Sequence, residues 1–136
     1  MPLSNENIYQ FSKKRNPMNH VAIMFRKQDV MKAGGYIEVH LSEDYYLWVR
    51  MLNMGCFAQN INRVLVYVRI GNGMFGRRGG FSYAKDIFQL QKLFFNMRYI
   101  SMPQFLQNCI VRIVISLVPN QIRQFFYYKF LRSNAK

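Results

Sequence analysis

Acidic residues are what this chain has least of. Six Asp and Glu stand against 19 Lys and Arg in 136 residues, a formal net charge of +13. A surplus of that size asks for an anionic partner: nucleic acid, an acidic membrane surface or a phosphate-bearing substrate. The shortage is also uneven. Asp86 is the last acid, yet Lys92, Arg98, Arg112, Arg123, Lys129, Arg132 and Lys136 all follow it. Cysteine is scarce too. Cys56 and Cys109 lie far apart with no CxxC or Cys/His cluster, which argues against zinc and makes a reducing cytoplasm the simpler setting. Long apolar runs are missing: nothing approaches the ~20 residues that span a bilayer, and the longest candidate, 110–118, is broken by Arg112. Residues 1–19 have no apolar stretch of the kind a secretory signal carries.

What the chain has in plenty is apolar and aromatic surface. Hydrophobic residues make up 51% and aromatics 16%, which excludes a disordered polar chain. The length suits one domain with a sizeable core.

Residues 1–19 read as loop, with the basic cluster Lys13-Lys14-Arg15 followed by Asn16-Pro17-Met18-Asn19. His20–Phe25 is a short apolar run with β-branched members, consistent with a buried strand. A short helix around Asp29–Ala33 closes on Gly34-Gly35, a pair suited to a left-handed cap and tight turn. Residues 57–61 and 63–70 read as extended. GNGMFGRRGG (Gly71–Gly80) then breaks the pattern. Beyond it, Ile87, Leu90, Leu93, Phe94 and Met97 mark one helical stripe. A second helical pattern runs from Phe105 to Leu117 between Pro103 and Pro119.

The acids stand side by side only at Glu43-Asp44. Leu47, Trp48, Met51 and Leu52 follow at three- and four-residue spacing and Gly55 supplies a stop. The pair therefore opens a helix, with Ser42 as its N-cap. Carboxylates are favoured there by the positive end of the helix dipole alone. The functional alternative is a general base pointing from a fixed scaffold into a cleft.

Other candidates carry two readings each. Gly71, Gly73 and Gly76 match GxGxxG, but Arg77-Arg78-Gly79-Gly80 prolongs the loop and no acid lies roughly 20 residues on, so a dinucleotide site is disfavoured. A basic glycine loop can still hold phosphate, or serve as a plain linker. His20, at the start of its apolar run, and His40, close to the acids, suit either structural or cleft positions. Trp48, one turn after Asp44, is either core or a sugar-stacking platform. The acid-free tail is either packed helices or an in-plane membrane anchor, and its one-sided charge favours the anchor.

Taken in order, KRNPMNH (Lys14–His20), FRK (Phe25–Lys27), GGY (Gly34–Tyr36), EDYYLW-R (Glu43–Arg50), a segment ending at Arg69 and GRRGG (Gly76–Gly80) resemble the C-terminal half of bacterial family-2 glycosyltransferases. The closest likeness is to the non-processive enzymes of capsular and exopolysaccharide assembly, amylovoran-type galactosyltransferases among them. The resemblance covers roughly residues 10–132. It implies an α/β fold: the acceptor-side portion of a GT-A domain over 1–80, then a basic amphipathic helical tail over 81–136 that associates with membranes. It implies hexose transfer from a nucleotide sugar, such as a UDP-sugar, to a polyprenyl-diphosphate-linked saccharide, with inversion, at the inner face of the cell membrane. Asp44 would be the base and Glu43 would orient it or bind acceptor hydroxyls. Trp48, with His20 and His40, would shape the acceptor pocket, and Arg77 and Arg78 would contact diphosphate. The family's divalent metal, Mg or Mn, would be held by a DxD motif in the nucleotide-binding half. Neither that half nor a DxD is present in this chain, so no metal and no activity are expected of it alone, and apolar surface should be exposed where the other half packs. The alternative is a basic membrane-surface or nucleic-acid-binding module without catalysis; the resemblance implies no nucleic-acid partner.

Overall fold

The structure, a computed structural model, describes residues 1–68 and 80–117. Its regular elements are helical: α1 (Asn5–Ser12), one 3-10 turn (His20–Ala22), α2 (Lys27–Lys32), α3 (Glu43–Asn53), α4 (Gly80–Asn96) and α5 (Met102–Leu117).

α3 is the centre of the molecule. Tyr45, Tyr46, Leu47, Trp48, Val49 and Leu52 are all buried, so the helix is apolar nearly all round, as an interior helix must be. Its sides serve two cores. Tyr45, Tyr46, Val49 and Leu52 join Ile8 of α1, Leu90 and Phe94 of α4, and Tyr99 and Ile100 of the α4–α5 corner. Leu47 and Trp48 face the other way, onto Val30 and Ala33, with Met18, Ile23 and Met51 at the margin. The first core holds a knot of rings: Tyr45 meets Phe94 edge-on at 5.0 Å between centroids, and Tyr99 meets Phe94 at 6.1 Å.

Local chemistry explains the ends of α3. Ser42 occupies the N-cap position, but its side chain makes no capping bond; the Asp44 carboxylate takes the Tyr45 N–H instead, Oδ1 accepting at 2.7 Å. At the other end Gly55 lies at φ +84° and Cys56 N–H donates to the Met51 carbonyl at 3.0 Å, the left-handed cap expected of that glycine. α2 ends the same way, with Gly34 at φ +85° and Gly35 N–H on the Val30 carbonyl.

Two expectations need correction. First, the described residues contain no β-strand, so the α/β reading finds only its helical part here. The His20–Phe25 run is a 3-10 turn followed by extended backbone, and residues 57–68 are irregular. A strand exists only through a ladder partner, and none of these segments pairs with another among the described residues. Asn60 is tied instead to Leu3, Pro2 and Pro17 by hydrogen bonds to their carbonyls. The apolar side chains meant for a sheet are left exposed, Met24, Val64, Leu65 and Tyr67 among them. Second, the opening segment is not all loop. Ser4 Oγ caps α1 by accepting from Asn7 N–H, and Ile8 is fully buried. One core joins residues from both sides of residue 80. α4 and α5 pack on each other, and α4 packs into the core built on α3. Over 81–114 the helices are therefore packed ones, while Leu106, Ile110, Val111 and Val114 of α5 face outward.

Candidate functional site

Asp44 sits in the first turn of α3, half-buried, and its carboxylate is held from two sides. Oδ2 accepts from Asn16 Nδ2 at 2.9 Å, and Oδ1 accepts from Tyr45 N–H. Asn16 is itself fixed, since its Oδ1 accepts from Met18 N–H at 3.3 Å. Glu43, beside it, is half-buried and takes no hydrogen bond among the described residues.

A group of rings lies next to the acids. His20 stacks on Tyr36 with centroids 5.6 Å apart, and its Nε2 lies 3.1 Å from the Tyr36 hydroxyl. His20, Phe25 and Tyr36 all surround Trp48, at 6.2, 5.9 and 6.4 Å. Burial, then the negative charges of Asp44 and Glu43, raise the Tyr36 phenol above its ordinary pKa.

Tyr36 is set by a turn that Arg50 clamps. The guanidinium donates from Nη1 to the Ala33 carbonyl and from Nη2 to the Gly35 carbonyl, and lies over the Tyr46 ring at 4.7 Å. Its removal from water lowers the Arg50 pKa. Glycine is favoured there by φ +85°, and a Cβ at Gly34 would stand 3.2 Å from Nη1, so the guanidinium would have to give by a few tenths of an ångström.

The residues expected from sequence are thus partly assembled. Asp44, Glu43, His20 and Trp48 belong to one region. Trp48, however, is only 1% exposed and is a core residue under the rings, with its Nε1 unpartnered; it cannot offer a face to a sugar. The exposed rings are His20, Phe25 and Tyr36. His40 is drawn away: its Nδ1 lies 2.8 Å from Asp86 Oδ2 on α4. Arg77 and Arg78 lie outside the described residues. Sequence reasoning missed Asn16 and Tyr36 as site residues, although both stand inside quoted motifs, NPMN and GGY. Among the described residues no group of three or more His, Cys, Asp and Glu could hold a metal ion. Cys56 and Cys109 are free thiols whose pKa values burial raises.

Known proteins match closely. The chain is 40% identical over 129 residues to the UDP-Gal:alpha-D-GlcNAc-diphosphoundecaprenol beta-1,3-galactosyltransferase of Escherichia coli, covering 95% of this chain and 47% of that protein. It is 36% identical over 129 residues to the amylovoran biosynthesis glycosyltransferase AmsE of Erwinia amylovora, covering 95% and 48%. An uncharacterized glycosyltransferase of Haemophilus influenzae is 36% identical over 132 residues, covering 97% and 49%. No family model matches, and no solved structure matches. The chain spans about half the length of the curated relatives it matches, and nearly all of it is similar to bacterial glycosyltransferases.

Proposed function

From that similarity to bacterial glycosyltransferases, we propose that the chain is the acceptor-side half of a hexosyltransferase of surface-polysaccharide assembly. Its donor is a UDP-hexose and its acceptor a saccharide on a polyprenyl diphosphate. The observation that carries this reading is the Asp44 carboxylate, fixed by Asn16 and the Tyr45 N–H on a buried helix beside exposed aromatic rings.

A base for this chemistry must be ionised, oriented and within reach of an acceptor hydroxyl. Two donors hold the carboxylate in one orientation. Asp44 takes the proton from the acceptor O–H as that oxygen forms a bond to the anomeric carbon. The bond from that carbon to the nucleotide's diphosphate oxygen breaks on the opposite face, with inversion. Glu43 binds acceptor hydroxyls or orients Asp44. Tyr36 and His20 form the wall on which the acceptor ring lies, supported from beneath by Trp48. Arg77 and Arg78, by the family resemblance, take the diphosphate.

The exposed Met24, Phe25 and Val64–Val68 are where the nucleotide-binding half packs, since apolar patches of this kind mark contact surfaces. No helix among the described residues is long and apolar enough to cross a membrane, and the reading is peripheral attachment at the inner face, with the basic tail on anionic lipid.

The test is a chimera in which this chain replaces the matching half of a full-length relative. It should transfer galactose from UDP-galactose to N-acetylglucosamine-diphosphoundecaprenol. A chimera that is folded, binds UDP-galactose and transfers no hexose to any lipid-linked acceptor would overturn the reading.

A further inference from the structure

An open cleft of about 690 Å³ lies at the α4–α5 corner, sharing no lining residue with the acid-pair site. Lys13 and Arg98 are its charged members; Asn96, Ser101 and Gln104 are its neutral polar ones. No carboxylate lines it, and none follows Asp86 in the sequence. Phe95, Tyr99 and Ile100 form the apolar wall.

Two features make the cations more than a solvated surface. Arg98 is held at φ +57°, the left-handed region where glycine or asparagine serves without strain. The corner closes on it through the Arg98 N–H to the Phe95 carbonyl and the Tyr99 N–H to the Phe94 carbonyl. Lys13 is likewise positioned, its Nζ lying 4.8 Å from the Tyr9 ring centroid and 6.0 Å from that of Tyr99. Neither cation has a carboxylate partner among the described residues, where the ion pair is His40 with Asp86. Gln104 spends its carbonyl oxygen on Ser101 N–H at 2.9 Å, which leaves its amide donors uncommitted.

We infer that this corner is a binding site for a phosphate-bearing anion, with Lys13 and Arg98 as its charged contacts. An arginine fork and a lysine point charge, beside amide and hydroxyl donors and with no acid to compete, are the complement of a phosphate or diphosphate group. The group could be a lipid headgroup or a free phosphate, and the experiment separates the two.

The full chain is titrated with inorganic pyrophosphate, and separately sedimented with phosphatidylcholine vesicles with and without phosphatidic acid. Compared with it are Lys13→Gln/Arg98→Gly and an equally charged control, Lys85→Gln/Lys92→Gln, on exposed positions of α4. Glycine relieves the left-handed backbone, so the first variant should melt no lower through that position; Lys13→Gln alone leaves the corner backbone untouched. The expected result is pyrophosphate binding weakened about tenfold or more in the corner variant, less but in the same direction in Lys13→Gln, and unchanged in the control. Loss of sedimentation with acidic vesicles in the corner variant alone assigns a lipid headgroup; retained sedimentation with weakened pyrophosphate binding assigns a free phosphate. Equal weakening in corner and control variants, or no binding of either probe, would overturn the inference.

Discussion

Asn16 Nδ2 donates to Asp44 Oδ2 at 2.9 Å across 28 residues of sequence, joining the basic opening segment to the first turn of α3. The bond fixes a carboxylate that would otherwise rotate about its own Cα–Cβ bond. Replacing Asn16 by Ala should leave the fold intact, at a cost of about 1 kcal/mol for one partly buried hydrogen bond. In the chimera it should lower kcat by about tenfold or more with little change in donor affinity, because orientation matters in the transition state. Steady-state kinetics at saturating donor checks this; a change confined to KM would speak against it.

The Gly34 turn should be intolerant of side chains. Gly34→Ala meets both φ +85° and Arg50 Nη1 at 3.2 Å. The expected loss is about 1–3 kcal/mol, from backbone strain together with the displaced guanidinium. Arg50→Lys should cost a similar amount, since one ammonium cannot reproduce a fork on two carbonyls. Denaturant midpoints measure both, and a neutral Gly34→Ala would show that the turn is not clamped.

Phe94 joins the helices from sequence-distant parts of the chain. It is fully buried, with the rings of Tyr45, Tyr46 and Tyr99 around it at 5.0, 6.4 and 6.1 Å. Phe94→Ala should destabilise by about 3–5 kcal/mol through the cavity it leaves. If α4 were a separate tail, unfolding of residues 1–68 would be indifferent to this change; hydrogen exchange on α3 distinguishes the two.

Alkaline pH should unfold the protein through its buried phenols. Burial pushes the Tyr99 phenol up to about 12 and raises that of Tyr45 as well, while Ser12 pairs with both: its Oγ with the Tyr99 hydroxyl, its carbonyl with the Tyr45 O–H. The folded values lie above the unfolded one of 10.0, so the unfolded chain loses protons first. The stability they contribute is fully present below pH 10 and declines as pH rises towards 12. Tyr99→Phe should flatten that decline in a series of urea midpoints; an unchanged slope would contradict it.

The sequence made α3 legible because three signals agreed: acids at its start, apolar residues at helical spacing, and Gly55 after its end. The Gly34-Gly35 turn was legible for a similar reason, since little but glycine adopts those angles. α1 was not, because Ser12, one of its two buried residues, is a polar residue whose hydroxyl is satisfied by Tyr99. His20–Phe25 read as a strand because β-branched composition records a preference for pairing, whereas a strand needs a partner. Trp48 stays open between core and platform in the sequence because local spacing cannot reveal that three rings from two other segments cover it. The Asn16–Asp44 contact was invisible for the same reason: it exists only once the chain has folded.

The central claim is that Asp44 is the base. Asp44→Asn keeps the Tyr45 N–H contact and the size of the side chain but removes the charge that accepts a proton. In the chimera, with UDP-galactose and a lipid-linked acceptor, it should lower transfer by about 100-fold or more while donor binding by calorimetry stays as in the parent. Transfer within tenfold of the parent would contradict the account.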